Sequence, residues 1–235
     1  MDTIQTVSSS PPARESYYRR QMDFLPYDRI RQLPVAVIGV GAVGRQLALQ
    51  LAASGHDNVT LIDHDEVEAV NCGPQGYSPS HIGRAKVAAC RVDCHMINPA
   101  CHYEFRPRRF SAEQDATGYD VVFCCVDSMA ARKEISETTD ARLFIDSRVG
   151  PDSVQILTNS VDQRLGEVDL SPYADTLFSD AEARPARCTA KISIYAANIA
   201  AGLMMNQYSQ WLRDMPPMNT NFTLDLLSMH VVRAE

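Results

Sequence analysis

Gly39-Val40-Gly41-Ala42-Val43-Gly44 follows a short β-branched run, Val35, Val37 and Ile38, and opens an Ala/Leu-rich stretch that stops at Gly55. In that setting each glycine has its own task. Gly39 permits a tight turn, Gly41 lets a phosphate approach the backbone, and Gly44 lets the following helix pack closely on the strand. Ala42 opens that helix, whose first N–H groups and dipole attract an anion. The next apolar run, 59–62, ends at Asp63, a carboxylate able to accept hydrogen bonds from ribose hydroxyls. Strand, glycines and acid together imply a nucleotide site, whereas the glycines alone would suit a nicotinamide dehydrogenase.

These residues need a βαβ frame, and the rest of the chain extends one. An Arg-, Tyr- and Gln-rich stretch over 13–33 reads as a partly helical arm broken by Pro26. Apolar spacing at Ile82, Val87, Cys90 and Met96 predicts a helix within 78–98, capped by Ser78 or Ser80. Residues 102–105 read as a third strand, and 121–126 as a fully apolar strand followed by a helix from Ser128 to near Thr138. Strands over 143–145 and 154–157 flank a Gly150-Pro151 turn. The stretch 160–187 has no periodicity and reads as a long loop, of the kind usually tied to function. A helix over 192–212 carries small residues from Ala196 to Gly202, and 222–232 closes the chain as one or two strands, held by Phe222, Leu224, Leu226, Leu227 and Val231. The expected fold is α/β, a Rossmann-like doubly wound sheet whose parallel N-terminal part is extended by antiparallel C-terminal strands. Residues 1–16 read as a flexible tail and 17–235 as a single domain.

Composition narrows the function. The 235 residues are 45% hydrophobic and 22% charged, ordinary for a globular protein. The net charge of −7 argues against nucleic acid as the main partner. Apolar runs too short to span a bilayer and an acidic, polar N-terminus predict a cytoplasmic protein. The seven cysteines contain no C-x-x-C pair, so neither a disulfide framework nor a structural zinc site is expected, and Cys124 and Cys125 read as core. Lysine occurs only at positions 86, 133 and 191 among 22 basic residues, so Lys86 stands out as a place for a compact ammonium.

The residues after Asp63 select among nucleotide-binding classes. The run Asp63-His64-Asp65-Glu66-Val67, then Asn71 and Gln75, then Gly83-Arg84-Ala85-Lys86, and later Asp127-Ser128 with Arg132, resembles the ubiquitin-activating superfamily in its bacterial ThiF/MoeB/HesA form. Tyr18-Arg19-Arg20-Gln21 resembles that family's N-terminal arm. The resemblance covers about residues 17–235, and its motifs fall in family order. It implies an adenylyltransferase that uses ATP and Mg²⁺ to adenylate the C-terminal carboxylate of a ubiquitin-like or sulfur-carrier protein ending in Gly-Gly, with a downstream partner for later steps. Lys86 would neutralise phosphate charge and Asp127 would hold magnesium. Asp65, Asn71, Gln75 and Ser128 would line the nucleotide, and Arg20 would reach the site of the other subunit of a homodimer.

The departures from the family are specific. Pro74 stands where the family has an arginine, the spacing from Asn71 to Lys86 is one residue shorter, and the zinc-binding cysteine pairs are missing. Arg148 could substitute for the lost cation, or pair with Asp146. Cys188 sits where ThiF-type enzymes carry a crossover-loop cysteine, near Arg184, Arg187 and Lys191, which favour a thiolate and a thioester step. The alternative reading is a catalytically weakened homodimeric scaffold that binds a β-grasp protein.

Overall fold

The computed structural model describes residues 15–160, 173–178, 192–215 and 221–233. Two short helical turns, α1 (Glu15–Tyr18) and α2 (Tyr27–Ile30), form the arm that Pro26 divides. Of the expected tail, 1–14 lies outside the described residues, and Glu15 and Ser16 belong to α1.

β1 (Val35–Ile38), α3 (Ala42–Ala53) and β2 (Val59–Ile62) make the first βαβ unit. Both strands are buried along their whole length, in keeping with a sequence that is apolar except at Thr60. After a 3₁₀ turn at Ala69–Asn71 come α4 (Cys72–Gln75), a second 3₁₀ turn at Pro79–His81, and α5 (Lys86–Ile97). The helix expected within 78–98 therefore begins only at Lys86. Ser78 caps the 3₁₀ turn through Ser80 N, and Gly83, at φ +81°, interrupts the helical path.

β3 (Glu104–Arg106), α6 (Ala112–Asp115), β4 (Val121–Cys124) and α7 (Met129–Thr138) follow, with Ser128 capping α7 through Ala131 N. β5 (Leu143–Val149) and β6 (Ser153–Ser160) form the antiparallel hairpin around Gly150-Pro151. The chain closes with α8 (Ile194–Leu212), β7 (Asn221–Asp225) and β8 (Val231–Arg233).

The eight strands make one sheet in the order β3-β2-β1-β4-β5-β6-β7-β8. Pairing is parallel from β3 to β5 and antiparallel from β5 to β8, as expected from the sequence. One core, with Leu47, Leu51, Tyr208 and Trp211, joins the sheet to α3, α5 and α8, and a smaller one around Ile135 and Phe144 lies on the other face. The closing strands depart from expectation. Phe222 is buried and Leu226 packs on the core, but Leu227 and Val231 are 78% and 54% exposed. Asp225 Oδ1 accepts from Leu227 N and Ser228 N in a tight turn that leaves Leu227 outside, and β8 is the sheet edge.

Candidate functional site

The order β2-β1-β4 brings the ends of three consecutive parallel strands to one edge, at the switch point where open α/β sheets bind ligands. The glycine turn lies there, and its geometry separates the three glycines. Gly39 has φ +84°, and a Cβ on it would lie 2.7 Å from the Cys125 carbonyl oxygen. A Cβ on Gly44 would stand 1.8 Å from the carbonyl oxygen of Gly39, so α3 reaches the strand only with glycine at that position. A Cβ on Gly41 would meet nothing within 4 Å, so the turn is open on that side. Gly41 is also the N-cap of α3 and supplies no side-chain cap, which leaves the first N–H groups of Ala42 onward available to an anion.

Asp63 closes the turn from the neighbouring strand. Its Oδ2 accepts from Val40 N at 2.7 Å and its Oδ1 from Asp65 N at 2.8 Å. Asp65 Oδ2 in turn accepts from Lys86 Nζ at 2.8 Å, and Lys86 N donates to Asp65 O. Burial pushes the Asp65 carboxyl up, but the Lys86 hydrogen bond and charge, with His64 and Arg109, hold it below the ordinary carboxylate value. Lys86, 6% exposed as the first residue of α5, is therefore a buried cation fixed at this edge by its helix and by Asp65.

Tyr77 was not singled out by the sequence, yet it joins two parts of the site. Its hydroxyl lies 2.7 Å from Val40 O in the glycine turn and 3.3 Å from Lys86 O. Arg45, also missed, stacks over the Tyr77 ring and pairs with Asp93 at 2.7 Å, beneath α4. The signal available for both was position alone: Arg45 follows Gly44 directly, and Tyr77 sits between Gln75 and Lys86.

The other expected residues fall in four places. Asp127 is exposed just past β4, and Ser128 beside it is occupied as a helix cap. Asn71 Oδ1 accepts from Glu68 N within a capping box, and Gln75 Oε1 is buried without a hydrogen-bond partner. Arg148 takes the ion-pair alternative, donating to Asp146 Oδ2 at 3.0 Å and to Thr176 O and Oγ1 at 2.7 and 2.8 Å. Arg20 is exposed at the far end of α3, since its neighbour Gln21 donates to Ala53 O at 2.9 Å. A helix of α3's 12 residues is about 18 Å long. Arg20 is thus separated from its own glycine turn by more than an arginine side chain spans.

Cys188 lies outside the described residues. Cys124 is fully buried, with its thiol pushed up by burial and then by Asp146; Cys125, whose Sγ is 4.0 Å from Met204 Sδ, is pushed up to about 12 by the same causes. Neither suits a thiolate nucleophile. Among the described residues, no helix is long and apolar enough to cross a membrane.

Comparison with known proteins agrees with this geometry. Residues 18–235 match the ThiF family. Ubiquitin-like modifier-activating enzyme 5 of Drosophila melanogaster is 29% identical over 155 residues, 60% of this chain and 38% of that protein. Its counterpart in Caenorhabditis elegans is 28% identical over 168 residues, 65% of this chain and 40% of that protein. The matched region thus spans about two fifths of the length of these relatives. Two solved structures share the fold. Selenomethionine PaaA has a TM-score of 0.76 at 22% identity, covering 99% of this chain and 77% of that one. Escherichia coli MccB with ATP has a TM-score of 0.72 at 14% identity, covering 93% and 71%.

Proposed function

The chain belongs to the ThiF family, and from that premise we propose that it uses ATP to adenylate a carboxylate at the end of a small protein or peptide. The observation that carries the reading is the meeting, at one sheet edge, of an open and uncapped glycine turn, the buried cation Lys86 and the strand-end carboxylate Asp127. A carrier carboxylate oxygen attacks the α-phosphorus of ATP, the bond from that phosphorus to the bridging oxygen breaks, and pyrophosphate leaves with the electron pair. The protein's part is to fix the phosphates on the N–H groups of the turn and α3 and to oppose their charge with Lys86. Asp127, an exposed hard-oxygen donor at the strand end, is chemically suited to hold magnesium, which when bound supplies further charge neutralisation.

The curated relatives' names favour a ubiquitin-like carrier; the sulfur-carrier alternative and the Gly-Gly end rest on the motif resemblance. A thioester on Cys188 would be a separate, later step. A homodimer is supported by the place of Arg20, which makes sense for a site on a second copy. It is also supported by α3 and α8, whose one charged residue, Arg45, is buried. Their outward side, with Tyr195 60% exposed and open space at Gly202, has the charge depletion of an interface centre.

The scaffold reading keeps one observation in its favour. Pro74 removes the family's phosphate-contacting cation, and Arg148, the candidate substitute, is engaged by Asp146 and Thr176. Exchange of labelled pyrophosphate into ATP with a carrier present separates the two. Adenylation predicts exchange that falls on the order of 10²-fold or more in Lys86→Ala and Asp127→Ala. A wild-type chain that exchanges none supports the scaffold, and variants that keep full exchange overturn the site assignment.

A further inference from the structure

Asp146, on β5, is a heavily engaged carboxylate on the side of the sheet occupied by α7, and no step of adenylation uses it directly. Its side chain is fully buried. Three donors from three elements converge on it: Arg132 of α7 on Oδ1, Arg148 of β5 on Oδ2 at 3.0 Å, and the Tyr173 hydroxyl on Oδ2 at 2.9 Å. Burying two guanidinium groups with one carboxylate is seldom a net gain in stability over an apolar packing of the same volume, so what the cluster holds in place is the better guide to its use.

It holds two things. Arg132 also donates to backbone through its terminal nitrogens, reaching the Val126 carbonyl and, at 3.0 Å, the Ser147 carbonyl, while its Nε has no partner. Val126 immediately precedes Asp127, and Ser128 immediately after it is fixed by its cap on Ala131 N. The backbone that presents Asp127 is therefore pinned on one side by Arg132, whose orientation is set by Asp146. On the other side, Arg148 lies over the Tyr173 ring at 5.5 Å and forks onto Thr176, and Tyr173 packs edge-on against Phe144. The 3₁₀ turn Tyr173–Thr176, between β6 and α8, is thereby docked on the same carboxylate.

We propose that Asp146 is the positioning residue for Asp127, and that through Arg148 and Tyr173 it makes the setting of Asp127 conditional on the Tyr173–Thr176 turn being seated. The proposal rests on the adenylation reading for the purpose of Asp127, but the mechanical link does not. A carrier or partner that lifts the turn would loosen the presentation of Asp127, and one that presses on it would tighten it.

The test uses Tyr173→Phe, which removes one hydroxyl and keeps the ring, and Asp146→Asn. The first readout is hydrogen–deuterium exchange of the amides of residues 127–131 in the ligand-free protein. The second is the Mg²⁺ concentration that gives half-maximal thermal stabilisation by ATP. Tyr173→Phe should speed amide exchange and raise the Mg²⁺ midpoint by roughly fivefold, the effect of one net hydrogen bond. Asp146→Asn should raise the midpoint roughly 10- to 100-fold, as for other outer partners of metal ligands. The Tyr173→Phe effect on the midpoint should vanish in an Asp127→Asn background. Unchanged amides in Tyr173→Phe overturn the proposal, as does a midpoint shift that persists without Asp127. If ATP with Mg²⁺ fails to stabilise even the wild-type chain, the adenylation reading falls, and amide exchange alone decides the link.

Discussion

Gly41→Ala separates phosphate binding from folding. The open space around a Cβ at this position means that a methyl group meets no protein atom within 4 Å, and φ of −70° is outside the left-handed region, although ψ of −143° lies away from the conformations alanine favours. The loss of folding stability should stay below about 1.5 kcal/mol, or roughly 3–6 °C in Tm for a chain of this size. That same space is where a phosphate would approach the turn. Loss of one charge-assisted hydrogen bond, worth about 1.5–3 kcal/mol, weakens ATP roughly 10- to 150-fold. Gly44→Ala is the opposite case. Its methyl would stand 1.8 Å from the Gly39 carbonyl oxygen, so α3 must move off the strand, at a cost above about 3 kcal/mol and a fall of roughly 6–12 °C or more. Calorimetric titration with ATP and Mg²⁺, beside thermal unfolding of both variants, reads the two effects separately. If Gly41→Ala binds ATP like the wild type, the phosphates do not lie on this turn. If it melts as low as Gly44→Ala, the open side of the turn is wrong.

Three further outcomes are expected. His56 is fully buried with Nε2 2.7 Å from Tyr208 Oη, and burial, against a smaller opposing pull from Asp57, lowers its pKa from 6.5 to about 3. Below pH 6.5 the unfolded chain therefore takes up a proton that the folded chain refuses, so stability is full above that pH and falls by about 2 kcal/mol at pH 5. The urea midpoint should drop between pH 7 and 5, with a smaller drop in His56→Phe; equal drops refute the assignment. Mixing Arg20→Ala with Lys86→Ala chains should restore some pyrophosphate exchange through one intact composite site, and no restoration despite subunit exchange argues against a role across the dimer. Cys188→Ala should keep pyrophosphate exchange and lose a reductant-sensitive adduct with the carrier, whereas an adduct that survives excludes this thiol.

The legible parts of the site were those set by local backbone chemistry. Gly39, Gly44, Asp63 and Lys86 could be placed because each answers to a turn, a helix start or a strand end within a few residues. The late start of α5 was hidden because the apolar spacing from Ile82 onward is helical, while Pro79 and Gly83 redirect the backbone before Lys86. Arg148 could be read two ways, since whether it faces phosphate or Asp146 depends on Tyr173 and Thr176, more than 20 residues away. The reach of Tyr77 to Val40, the contact of His56 with Tyr208, and the hold of Arg132 and Tyr173 on Asp146 join segments distant in sequence, so no local spacing rule gives them. Leu227 and Val231 looked like core because hydrophobicity predicts burial only where another layer covers the strand.

The central claim is attack of a carboxylate on the α-phosphorus of ATP, and isotope transfer measures it. A carrier bearing ¹⁸O in its terminal carboxylate is incubated with the protein, ATP and Mg²⁺, and the products are released with hydroxylamine and weighed by mass spectrometry. Adenylation predicts AMP carrying one ¹⁸O, pyrophosphate without label, and dependence of both on Lys86. Formation of ADP, or of AMP with no label from a labelled carrier, would contradict it.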